Sequence, residues 1–122
     1  MFETTERDLL RWQLRAQRAL GVFLEHAYRE DLPALTWTVN TLGGLIGDVG
    51  SLNCTPAEQR AAFDAWVDYL DGNRWQERTN AAGRTRLQAQ FEYRDEAGER
   101  VRGAIRADLR PDDEPEAGGR RG

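Results

Sequence analysis

Few side chains in this sequence could carry chemistry: one imidazole, His26, one thiol, Cys54, and acids clustered at Asp64, Asp68 and Asp71. A nucleophilic thiol needs a base to take its proton and a third group to orient that base. Cys54 precedes a helix N-terminus, where a thiolate is favoured, and His26 with Asp48 would complete such a set. Nothing in the spacing obliges the three to meet, and no nucleophile motif surrounds Cys54. The ordinary reading is a packed, inert thiol. His26 could serve as a general base. Its place at the margin of an apolar helix face, near the C-terminal end, fits a boundary residue better. Three monodentate acids on an open helix face would hold a hard cation weakly. They read as a solvated face, or as a docking face for an arginine-rich partner. Glu77, if Trp75 points inward, falls on the helix-covered side of a sheet margin and reaches water there.

The basic residues narrow the field further. All seventeen are arginine, so every positive charge is a permanent, planar donor fork, and lysine chemistry such as a Schiff base is excluded. Residues 73–110 hold nine arginines against six acids, whereas residues 31–72 hold one against six. That asymmetry makes Arg86, Arg102 and Arg106 on one side, and Asp64 and Asp68 on the other, candidate partner-binding residues. No phosphate-binding glycine loop, GxGxxG or GxSxG is present, and the glycines 43, 44 and 47 open no helix. The sequence thus points to no catalytic residue, no metal site and no cofactor.

The elements that must position these residues are marked by periodicity. From about Thr5 to Glu30, Leu9, Trp12, Ala16, Ala19, Leu20, Phe23 and Ala27 form one apolar helical face. Arg7, Arg11, Arg15, Arg18 and Arg29 line the opposite side with Glu25, and Thr5 with Asp8 is a variant capping box. Pro33 prevents continuation. Leu35, Trp37 and Val39 then alternate with Thr36, Thr38 and Asn40 as a half-buried strand, and Gly43-Gly44 turns the chain into Leu45–Val49, a hairpin. Thr55-Pro56-Ala57-Glu58 caps a second helix whose face is Ala62, Phe63, Trp66, Val67 and Leu70. Gly72 is expected to take its left-handed C-terminal position.

From Arg74 to Arg110 the period returns to two. Leu87, Ala89, Phe91 and Tyr93 lie on one face, as do Val101, Gly103, Ile105, Ala107 and Leu109. The turns Asn80–Arg84 and Asp95–Glu99 each place a glycine where a three-residue loop needs a positive φ. Closing Asp95 on Glu99 pairs Tyr93 with Val101, Phe91 with Gly103, Ala89 with Ile105 and Leu87 with Ala107. It also sets Glu92 against Arg102 and Arg86 against Asp108 on the outer face. A slip of one residue would bury arginines.

The sum is an α+β fold: long N-terminal helix, β-hairpin, second helix and three-stranded antiparallel meander, with both helices on one face of the sheet. The expected domain is 1–110, a size that buries one core shared by Trp12, Phe23, Trp37, Phe63, Trp66, Trp75 and Phe91. The acidic, Gly-Arg tail 111–122 is expected to be disordered. A helix of about 26 residues should overhang strands of five to seven and offer a dimer contact.

The run Leu35…Trp37-Thr38-Val39…Leu42-Gly43-Gly44-Leu45-Ile46-Gly47-Asp48-Val49, followed by Thr55-Pro56…Arg60…Phe63-Asp64-Ala65-Trp66…Leu70, resembles small uncharacterised proteins of Streptomyces and related actinobacteria. The lysine-free composition is consistent with that origin. The resemblance covers about Leu35 to Leu109 and implies no activity and no site residue.

Acids near the N-terminus without a following apolar stretch, and no window approaching about 18 apolar residues, predict a cytoplasmic protein with no membrane partner. Net charge is −4, which argues against a generally basic nucleic-acid binder. The leading expectation is a non-enzymatic protein-interaction module that binds a protein partner or itself as a homodimer. One alternative is a nucleic-acid accessory factor using the arginine-rich sheet face, disfavoured because base stacking needs exposed aromatics. The other is a small-molecule binder or enzyme with a pocket between helices and sheet, lined by Trp37, Trp75 and Phe91.

Overall fold

The computed structural model describes residues 4–50 and 54–111; the tail segment 112–122, expected to be disordered, lies outside the described residues. The element order is α1 (Glu6–Glu30), β1 (Thr36–Val39), β2 (Leu45–Val49), α2 (Pro56–Leu70), β3 (Asn73–Arg74), β4 (Arg78–Thr79), β5 (Thr85–Arg94) and β6 (Arg100–Leu109). The class is α+β, as expected.

Both helices start on reciprocal capping boxes. The Thr5 and Thr55 hydroxyls accept from the backbone N–H of Asp8 and Glu58, whose carboxylates accept from the threonine N–H groups in return. Both also end alike. Asp31 and Asp71 occupy the left-handed region, at φ 58° and 54°. The left-handed residue closing α2 is therefore Asp71 rather than Gly72; a short acid tolerates that conformation where larger side chains do not.

The three hairpin turns repeat one design. In each, the first residue's side-chain oxygen (Asn40, Asn80 or Asp95) accepts from the N–H groups two and four residues on. The glycine three residues on holds φ between 82° and 84°. An Asx turn joined to a left-handed glycine lets the loop be so short.

The strands form one mixed sheet ordered β1-β2-β6-β5-β3, with β4 also on β5. The β5–β6 register includes every pair read from the sequence, among them Phe91 with Gly103, Glu92 with Arg102 and Arg86 with Asp108. Two features correct the expected meander and the purely antiparallel sheet. β2 runs parallel to β6, with Leu45 beside Gly103 and Val49 beside Ala107. The strand before β5 is broken: Arg74 pairs with Ala89, but Arg78 pairs with Arg86. Three residues, 75–77, thus lie opposite two, 87–88, which is a β-bulge at the sheet edge.

The helices cover one face of the sheet. Ala16, Ala19 and Phe23 of α1 and Phe63, Trp66 and Val67 of α2 are buried with Leu45, Leu87, Ala89, Phe91, Val101, Ile105, Ala107 and Leu109. Phe23 is the hub, its ring 5.2–6.1 Å from those of Trp37, Tyr69, Phe91 and Tyr93. Trp66 packs edge-on against Trp37 and donates its indole N–H to the Pro33 carbonyl at 2.7 Å. Trp75 is outside this core, contrary to expectation. It faces Gln88 across the edge, donates its backbone N–H to the Gln88 carbonyl, and is 51% exposed.

The expected overhang of α1 also shrinks. β5 and β6 are ten residues each, about 33 Å at the rise of a strand, against about 37 Å for the 25 residues of α1.

Candidate functional site

The residues of the candidate thiol site are apart. His26 stacks on the Tyr69 ring, 3.8 Å between centroids, near the C-terminal end of α2. Cys54 precedes the N-terminal cap of the same helix, about 20 Å away at 1.5 Å per residue. Asp48 lies on the far face of the sheet, forked to Arg106 by two 3.2 Å bonds. Burial pushes the Tyr69 hydroxyl pKa up, and Tyr93 adds to the effect. The place expected to hold a pocket is filled by Phe23, Trp37, Trp66 and Phe91, with Trp75 on the other side of the sheet.

Asp64 and Asp68 are bridged by Arg74, at 3.1 and 3.6 Å, and Asp71 is the α2 cap. Among the described residues no three His, Cys, Asp or Glu side chains converge as a metal site would require. Arg60 of α2 reaches Glu77 through both guanidinium nitrogens, at 2.7 and 3.2 Å, and so ties the bulged edge to the helix. The hydrogen bond from Arg60 holds the Glu77 carboxyl below its ordinary 4.5, and the bonds to Thr5 hold Asp8 below 3.8. Both groups are more acidic folded than unfolded. Their contribution is present above those ordinary values and is lost as pH falls through the lowered ones. Urea midpoints should therefore fall on acidification below about pH 4, less steeply in Glu77→Gln; an unchanged acid slope in that variant would contradict the assignment.

Arg86, Arg102 and Arg106 do share one surface, the face of the sheet away from the helices. Its rows follow the register: Trp75, Gln88, Arg106 and Asp48 in one; Arg78, Arg86 and Asp108 in the next; Glu92 with Arg102, then Arg94 with Arg100, toward the other end. Asp108 takes Arg86 at 2.6 Å, and Glu92 lies 3.4 and 3.5 Å from Arg100 and Arg102. Pairs this exposed stabilise by about 0–1 kcal/mol each. They fix register more than stability. Six arginines against three carboxylates leave the face net basic. Asp64 and Asp68 lie off this face, on the flank of α2.

A second surface was not anticipated. On α1, Leu10, Leu14, Leu24 and Tyr28 point away from the core and are 58%, 53%, 49% and 88% exposed. With Gln17 and Gly21 they form a stripe spaced 4-3-4-3-4, the heptad pattern of a helix that packs on another helix. At 100° per residue it lies about 140° round the helix from the buried face. The signal was in the sequence. It was obscured by the arginines interleaved with it.

Comparison with protein-family models, curated proteins and solved structures returns no match.

Among the described residues no helix is long and apolar enough to cross a membrane. Two surfaces stand out, the ionic sheet face and the outer stripe of α1. The first pairs its three carboxylates with four of its arginines. The second presents apolar side chains to water, where their burial in a contact would be favourable by about 25 cal/mol per Å².

Proposed function

We propose that this chain is a non-enzymatic protein-interaction module that docks through the outer stripe of α1. The observation that carries the proposal is the regular exposure of Leu10, Leu14, Leu24 and Tyr28 along a helix already anchored by its opposite face. Scattered exposed leucines are ordinary on any surface. Three leucines and a tyrosine on one heptad line, over nineteen residues, are a seam. The test compares proteins retained from the host by the native chain, by Leu14→Glu/Leu24→Glu and by Arg86→Ala/Arg102→Ala/Arg106→Ala. A retained protein lost with the stripe variant and kept with the arginine variant supports the proposal; the reverse refutes it.

One observation favours a second reading, a nucleic-acid accessory factor. Trp75 is the exposed aromatic that a base-stacking sheet face requires, and it stands in the row of Arg106. Binding of single-stranded RNA or DNA that weakens steeply with salt, and is lost in Trp75→Ala, would support this reading. No retention at low salt removes it.

A further inference from the structure

We infer that the occupant of the α1 stripe is the α1 stripe of a second copy, running antiparallel about a two-fold axis between Gln17 and Gly21. This rests on the proposal that the stripe is the docking surface, and adds who docks there and in which register. The stripe reads Leu10, Leu14, Gln17, Gly21, Leu24, Tyr28. Reversed, it keeps its polarity, apolar at both ends and polar or small in the middle. An antiparallel pair centred on it sets Leu10 against Tyr28 of the second copy, Leu14 against Leu24, and Gln17 against Gly21. Each layer joins an a position to a d position, as antiparallel helix pairs do.

The middle layer is the most informative. A Cβ at Gly21 would meet nothing within 4 Å, so no intrachain crowding requires a glycine there. Opposite the longer Gln17, its missing side chain leaves room for close approach. Charge then selects the direction. On the solvent flank the antiparallel register brings Arg11 beside Glu25 of the second copy, twice by symmetry. Arg18 meets its own mate on the axis, an exposed pair that salt screens. The other flank puts Leu20 against Leu20 at the same axis. A parallel pair would forgo both Arg11–Glu25 contacts.

The stripe is about 27 Å long, and a contact of one helix buries less than the ~800 Å² per partner of a standard interface. Dissociation is therefore expected in the micromolar range, about 10 μM. Sedimentation equilibrium of the full chain from about 1 to about 200 μM, bracketing that constant, should show mass rising from 13.9 kDa toward twice that value. Leu14→Glu should weaken association about tenfold or more, with an unchanged circular dichroism melt confirming the fold. Arg11→Glu and Glu25→Arg should each weaken it, and the double exchange should restore it. A monomeric chain throughout, a dimer indifferent to Leu14→Glu, or a double exchange that fails to restore would overturn the inference. If the chain is monomeric yet retains a different protein through the stripe, the interaction module stands and self-pairing falls. If the stripe variant changes neither, both fall.

Discussion

Replacing Phe23 with alanine should destabilise the fold by about 4 kcal/mol, as large aromatic truncations in cores do. The ring is fully buried and meets Trp37 from β1, Tyr69 from α2, and Phe91 and Tyr93 from β5. Among the described residues no other ring of α1 meets four aromatic rings; Ala16 and Ala19 beside it only let the helix come close. Losing the ring leaves a cavity between helix and sheet that such different elements cannot jointly close. Against a total stability of about 5–15 kcal/mol, the urea midpoint should drop by a large fraction, with α1 losing amide protection first. A loss below about 1 kcal/mol would mean that α1 does not seat on the sheet here.

Gly103→Ala should cost about 3 kcal/mol, at the upper end of overpacking penalties. Gly103 pairs with Phe91 on one side and lies beside Leu45 on the parallel β2. A Cβ there would overlap both the Phe91 ring and the Leu45 carbonyl oxygen. The ring is a side chain and can shift; the carbonyl belongs to the sheet and cannot. Phe91→Leu in the same chain should therefore rescue only part of the loss, which a double-mutant cycle measures. Full rescue would show that β2 does not approach β6 as described. An unchanged midpoint in the single variant would contradict the β5–β6 register as well.

What could be read in advance was what neighbours in sequence decide. Thr5 with Asp8 and Thr55 with Glu58 are three residues apart, and the turns at Asn80 and Asp95 close within five, so local chemistry announces them. The β5–β6 register was legible because apolar and ionic pairs agreed on it. The parallel β2–β6 joint was not, because its partners lie 58 residues apart and alternation says nothing of who sits alongside. Trp75 was misplaced for a different reason. Alternation assigns faces only while a strand is unbroken, and the bulge between Arg74 and Arg78 inverts it without a glycine or proline to mark the place. Of the candidate site, the common face of Arg86, Arg102 and Arg106 follows from alternation in β5 and β6, while Asp64 and Asp68 are bridged by Arg74 on a separate flank. The α1 stripe is hidden in the sequence because one apolar face already satisfies the helical pattern, and the second 4-3 line is interleaved with arginines.

The most direct measurement is a series of amide and methyl NMR spectra recorded as the chain is concentrated. The α1 resonances of Leu10, Leu14, Gln17, Gly21, Leu24 and Tyr28 should shift together along one saturating curve, while Arg86, Arg102 and Arg106 stay where they were. Shifts confined to the ionic sheet face would contradict a protein whose outward-facing helix is its point of contact, and spectra that never change would contradict its pairing with a second copy.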